Sequence, residues 1–185
     1  MNLKEKIPIN LKGFPKKRTE LSEEYEKVYS KYRKQNRDGA TSATFVAQKM
    51  EQWLHKQVAA DLHGKLLSDG SDQVAGYGTL EIGAGTLNQL DYEIGDFIYD
   101  VVEPIEEMYL YSKNKSRIRT FFADILEVPP QNKYDRITSV ASFEHILNLP
   151  ALVAVTGILL NQNGSLRVAI PSEGTILWTL GWKLT

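Results

Sequence analysis

A chain of 185 residues has room for one domain with a full core, because a domain near this size hides about 70% of its unfolded surface. Hydrophobic residues at 42% and charged residues at 24% exclude a collagen-like, low-complexity or disordered chain, and the absence of cysteine excludes disulfides, thiolate zinc sites and a cysteine nucleophile. The net charge of −1 hides an asymmetry: 11 of the 22 basic and 5 of the 23 acidic residues fall within residues 1–37, making that arm +6 and leaving the remainder at −7.

Residues 1–20 are Lys-rich, interrupted by Pro8, Gly13 and Pro15, and show no sustained period, so they read as a flexible basic arm. From Ser22 the pattern turns helical, with Glu23 and Glu24 in the first turn and Tyr25, Val28, Tyr29 and Tyr32 on one face, until Asp38-Gly39 breaks it. A second helix is predicted from about Thr41 to Leu62, its core stripe made of Val46, Met50, Trp53, Leu54, Val58 and Leu62. Trp53 is thereby placed in the core rather than against a substrate. Residues 21–66 thus hold the N-terminal helices, a candidate lid, with Tyr25, Tyr29, Tyr32, Arg33 and Arg37 either closing over a ligand or simply packing on the domain. Ser68 to Asp72 reads as a loop by composition.

From residue 74 the texture changes to short apolar runs alternating with helix-length connections: Gly78 to Ile82, Ile98 to Val102, Ile118 to Phe122, Tyr134 to Val140 and Ser165 to Ile170. Such runs indicate a parallel sheet covered on both faces, an α/β fold with right-handed crossovers. No apolar run reaches the roughly 20 residues of a membrane span, the longest being Ala151 to Leu160, and the N-terminus lacks the apolar stretch of a secretory signal. The expected setting is soluble and cytoplasmic.

The first run delivers Leu80-Glu81-Ile82-Gly83-Ala84-Gly85-Thr86-Leu87-Asn88. A glycine turn between strand and helix lets the backbone approach a ligand closely, and Gly83 and Gly85 are the positions where a side chain would obstruct. The second run ends in Glu103, twenty residues beyond Gly83, where an acid at a strand end is the expected acceptor for ribose hydroxyls. A pyrophosphate is disfavoured: the third small residue of a dinucleotide fingerprint is replaced by Asn88, and Glu81 would repel phosphates while suiting a cationic or amine-bearing ligand.

With these residues the sequence resembles the class I S-adenosylmethionine-dependent methyltransferases. The first family motif is matched by Leu80 to Leu87, and the acidic end of the second strand by Val101-Val102-Glu103-Pro104-Ile105. The third strand end is matched by Phe122-Ala123-Asp124-Ile125, the region after strand four by Tyr134 to Ile146 with its Glu144-His145 pair, and strand five by Leu160 to Pro171. The resemblance implies a Rossmann-like three-layer sandwich over residues 74–185, with S-adenosylmethionine as cofactor and S-adenosylhomocysteine as product. It implies that Gly83, Ala84 and Gly85 cradle the methionine part and Glu81 meets its amino group. Glu103 with Pro104 would bind the ribose, Ile105 would cover the adenine, Asp124 with Ile125 would hold it, and Ala141 and Ser142 would line the floor near the sulfonium. The acceptor is expected to be a small molecule.

Methyl transfer from a sulfonium needs chiefly proximity and alignment, and a base only if the acceptor must lose a proton. His145 is the candidate base, though a histidine after a strand more often just bonds the loop backbone. His55 and His63, eight apart on one predicted helix, do not have metal-ligand spacing and read as surface residues, so no metal is expected. The basic arm carries no aromatic-basic RNA motif, which argues against nucleic acid as a partner. The family sheet has seven strands, and only about fourteen apolar-rich residues follow Pro171, so a chain lacking the last two strands, associating through that tail, is expected. The rival readings are a non-catalytic S-adenosylmethionine-binding scaffold and an NAD(P)-dependent oxidoreductase on a similar sheet.

Overall fold

The computed structural model describes residues 2–8, 23–24, 27, 42–69, 76–95 and 98–171, with the side chains of the long helix described over 49–62. Five strands, β1 (Gly78–Ile82), β2 (Ile98–Val102), β3 (Thr120–Phe122), β4 (Tyr134–Val140) and β5 (Leu160–Ala169), form one all-parallel sheet in the order β3-β2-β1-β4-β5. The chain winds outward from β1 to β3, then returns to the other side of β1 for β4. That reversal makes the C-terminal ends of β1 and β4 a topological switch point, where loops diverge and leave a crevice.

The register fixes which side chains share a face. Leu80, opposite Ile137, points to one side with Ile82 and Val102, and there the largest apolar cluster forms. It is completed by α4 (Leu149–Leu159), which buries Ala151, Leu152, Val155 and Leu159 on one stripe. The Asn148 side chain caps this helix by accepting from the Ala151 N–H at 3.2 Å, and Pro150 occupies its first turn, where a missing N–H goes unnoticed. Leu3 and Ile7, around the single-turn helix α1 (Leu3–Lys6), join the same cluster. The arm expected to be flexible is therefore docked at residues 2–8, because Leu3 and Ile7 supply the apolar anchors that its lysines conceal in composition.

The opposite face is divided. Beneath β2 and β3 it is apolar, with Tyr99 and Val101 packed on Leu87, Leu90 and Tyr109, the last belonging to the one-turn helix α3 (Glu106–Tyr109). Beneath β1, β4 and β5 it carries Thr79, Glu81, Arg136, Thr138 and Arg167, and α2 (Ser42–Asp69) lies across it. Arg136 is fully buried, its guanidinium paired to both Glu93 oxygens at 2.9 and 2.8 Å, donating to the Val58 carbonyl at 2.7 Å and lying 3.2 Å from Asp61. Arg167 donates to the carbonyls of Val58 and Gln57. The helix is thus docked by ion pairs and carbonyl bonds as much as by apolar packing.

This polar floor explains why the predicted stripe of α2 is displaced. The buried residues are His55, Val58, Ala59 and Leu62, whereas Met50 is exposed and Trp53 is 59% exposed, so Trp53 is not a core residue. The helix also runs on through Ser68 and Asp69, into the expected loop. Strand β3 is shorter than expected, although Arg119 N–H still bonds the Tyr99 carbonyl of β2 at 2.8 Å. Strand β5 starts earlier, with a bulge: one residue of β4 faces four of β5 between the pairs Tyr134–Leu160 and Arg136–Ser165. Gly164 fills the bulge where a Cβ would lie 3.0 Å from the Asn161 carbonyl oxygen, and Asn163 takes φ +70°. Glu23, Glu24 and Lys27 are helical as expected, while the tyrosine and arginine face at 25–37 and the tail after Pro171 lie outside the described residues.

Candidate functional site

The crevice at the switch point is a cavity of about 300 Å³, within the range that holds small ligands. Its walls come from four places. The turn after β1 contributes Gly83, Ala84, Gly85, Thr86 and Asn88; the turn after β2 contributes Glu103, Pro104, Ile105 and Met108; the end of β4 contributes Val140, Ala141, Ser142 and His145; and α2 contributes Glu51 and His55. Glu81 lies at its base.

The backbone at this turn is bent as only special residues allow. Gly83 has φ +69° and Gly85 φ +51°, and a Cβ on Gly83 would sit 2.0 Å from Ser142 Oγ. The two strand ends are thereby pressed together, with the Ser142 side chain against the bare Gly83 backbone. Bonds from Gly83 N–H to the Val102 carbonyl at 2.8 Å and from Glu103 N–H to the Phe122 carbonyl at 2.9 Å carry the ladder to the edge of the cavity. The Glu103 carboxylate then ties the two turns, accepting from Gly85 N–H at 2.8 Å and from Ile105 N–H at 3.0 Å. Each oxygen keeps a second lone pair for a hydroxyl in the cavity.

Glu81 is 2% exposed, and its Oε2 accepts from the Tyr99 hydroxyl at 3.0 Å. Burial pushes its carboxyl up to about 8, the Tyr99 bond and the nearby His55 and Arg136 offsetting only part of that rise. The carboxyl thus keeps its proton to higher pH than a free glutamate, and a cation placed beside it draws it toward the charged form.

The positions expected from the sequence divide. Glu81, Gly83, Ala84, Gly85, Glu103, Pro104, Ile105, Ala141, Ser142 and His145 come together around this one cavity. Asp124 and Ile125 do not. The Asp124 carboxylate, at the surface, caps the next turn by accepting from Leu126 N–H at 2.8 Å, and Ile125 is buried in the apolar cluster beneath the sheet. His145 is at the rim, its side chain 48% exposed and 3.8 Å from Glu144.

His55, expected at the surface, is 7% exposed and faces the cavity. Its Nδ1 lies 2.8 Å from Gln89 Oε1, its ring stacks on Tyr92 with centroids 5.6 Å apart, and its Nε2 lies 3.7 Å from Glu51. Burial works against a charged imidazole, yet the contacts with Glu51 and Gln89 and the charge of Glu81 outweigh it and hold the group above its ordinary value. The imidazole in turn holds the Glu51 carboxyl below its own. The only sequence signal for this pair is that Glu51, His55, Val58, Ala59 and Leu62 share one helical stripe, a pattern that hydrophobicity alone does not register. Among the described residues no group of three His, Asp or Glu is placed to hold a metal ion, and no helix is long and apolar enough to cross a membrane.

No family model matches the chain and no curated protein resembles it in sequence. Solved structures do match. An S-adenosylmethionine-dependent methyltransferase from Clostridium acetobutylicum superposes with a TM-score of 0.52 at 20% identity, over 80% of this chain and 58% of that one. The magnesium protoporphyrin IX methyltransferase of Synechocystis, with bound S-adenosylhomocysteine, gives 0.54 at 16% identity, over 85% and 73%. This chain shares the Rossmann-like α/β fold of these two proteins. The Rossmann-like sheet expected from the sequence is thus observed. In this fold the cavity occupies the switch point, and the chain spans 58% of the length of the clostridial protein.

Proposed function

We propose that this chain binds S-adenosylmethionine in the cavity bounded by the turns after β1, β2 and β4 and directs methyl transfer to a small-molecule acceptor. The observation that carries the reading is the joint at Gly83 and Glu103: a turn whose glycine carries no side chain of its own and a carboxylate bonded across to it, both facing one cavity of ligand size.

The residues present fit such a donor. Glu103, already fixed by hydrogen bonds from two backbone N–H groups, would accept from the ribose hydroxyls, and a fixed acceptor loses little freedom on binding. The backbone of Gly83, Ala84 and Gly85 would lie along the amino-acid portion, with Glu81 receiving its ammonium group. Pro104, Ile105 and Met108 offer the apolar wall for the adenine. Ala141 and Ser142 would form the floor. When bound, the donor supplies a methyl group on a positively charged sulfur, already activated for displacement. The protein's share is alignment and exclusion of water, worth up to roughly 7–11 kcal/mol of the barrier.

Isothermal titration of the purified chain with S-adenosylhomocysteine tests the reading. Saturable one-to-one binding that Glu103→Gln weakens at least tenfold is expected. No binding by a folded sample, or equal binding by the variant, would overturn it.

A further inference from the structure

The polar floor under α2 ends on a histidine whose proton arrangement is dictated by its neighbours. Glu93 accepts on both oxygens from Arg136 and, through Oε1, from Gln89 Nε2 at 2.6 Å. The second contact of Gln89 Nε2 is the His55 carbonyl oxygen at 3.4 Å. Both partners are acceptors, so the amide nitrogen of Gln89 must face them and its Oε1 must face His55. An amide oxygen cannot donate; hence the proton of the neutral imidazole sits on Nδ1, and Nε2 is left with its lone pair on the cavity side, 3.7 Å from Glu51. Stacking on Tyr92 fixes the ring plane, 4° from parallel.

We infer that His55, oriented by the chain Arg136–Glu93–Gln89, is the residue that takes the proton from an N–H or O–H methyl acceptor. The inference rests on the methyl-transfer reading above. In the step, the acceptor nitrogen or oxygen forms its bond to the methyl carbon, the carbon–sulfur electron pair leaves with sulfur, and the acceptor's proton passes to Nε2. The imidazolium so formed faces Glu51 from its own helix and Glu81 from β1, two carboxyl groups that stabilise it, and Tyr92 from the turn after β1. Glu51, half exposed at the rim, offers the route by which the proton returns to water. His145 shares the cavity but sits at its rim, its side chain 48% exposed and 3.8 Å from Glu144. Gln89 and Glu93 act through His55 and are positioning residues.

Nitrogen NMR of the full chain, ¹⁵N-labelled, tests this without an acceptor. The three imidazoles are assigned with His63→Asn and His145→Asn. Each is titrated with pH in the presence of S-adenosylhomocysteine and of sinefungin, the analogue that carries an amino group where the transferable methyl would be. Free His55 is expected to hold its neutral proton on Nδ1, and with sinefungin to bind its titrating proton about tenfold more weakly than with S-adenosylhomocysteine, because a cation then stands beside it. Gln89→Leu should lose the single Nδ1–H form while still binding S-adenosylhomocysteine. If both ligands bind and His55 titrates alike in the two complexes, or if His145 responds in its place, the inference falls and the methyl-transfer reading survives. If neither ligand binds, both fall.

Discussion

Gly83→Ala is the smallest change that tests how the site is built. The added Cβ would stand 2.0 Å from Ser142 Oγ and 2.5 Å from Ser142 Cβ, and the residue would have to keep φ +69°. An L-residue in the left-handed region is disfavoured by roughly 1–2 kcal/mol, and forced overpacking by roughly 1–3 kcal/mol more. A loss of about 3 kcal/mol lowers Tm by roughly 6–12 °C in a domain of this size. Only the overpacking depends on Ser142. In the background of Ser142→Gly, which removes both clashing atoms, Gly83→Ala should therefore lose only the left-handed strain, leaving a coupling of about 1–3 kcal/mol between the two positions. Urea unfolding of the wild type, both single variants and the double variant measures that coupling. Additivity within about 0.5 kcal/mol would refute the contact between the turns after β1 and β4.

The charged groups yield three further expectations. Glu103→Gln, folded by circular dichroism, should weaken S-adenosylhomocysteine binding roughly ten- to hundredfold, the range for a hydrogen bond to a charged group; unchanged titration calorimetry would remove Glu103 from the site. Arg136→Met strands the buried Glu93 carboxylate and should destabilise the chain by about 3–5 kcal/mol in urea, whereas a loss below about 1 kcal/mol would contradict the pairing. Glu81 is raised from 4.5 to about 8, so the folded chain holds a proton there that the unfolded chain releases. Its contribution is fully present below pH 4.5 and fades as pH rises through about 8. Relative to Glu81→Gln, wild-type stability should then fall with pH across that window by up to about 1.4 kcal/mol per pH unit, measured by urea melts at several pH values; parallel profiles would show that the carboxyl is not buried as described.

Strands β1, β2 and β4 were legible in the sequence because short Ile-, Val- and Leu-bearing runs with few polar interruptions are closed by turn residues, and all three match their predicted bounds. Glu103 was legible for a related reason: a strand end in a doubly wound sheet has few places to go other than the crevice. Position alone did not suffice for Asp124. Its carboxylate had a local use, capping the turn that carries Ile125 into the core, and spacing cannot reveal such competition. His55 was hidden because hydrophobic periodicity assumes an apolar floor. Arg136 reads in sequence as a polar residue inside strand β4, and only the register, which sets it beside Thr79 and beneath α2, turns that face polar and lets His55 and Asp61 turn inward. Leu3 and Ile7 were masked by the lysines around them.

The most direct measurement is a crystal structure of the chain grown with S-adenosylhomocysteine. The account predicts ligand density in the cavity lined by Gly83, Glu103 and Ala141, with the ribose hydroxyls on the Glu103 carboxylate and the sulfur above Ala141 and Ser142. Ligand bound elsewhere on the molecule, or a ribose turned away from Glu103, would contradict it.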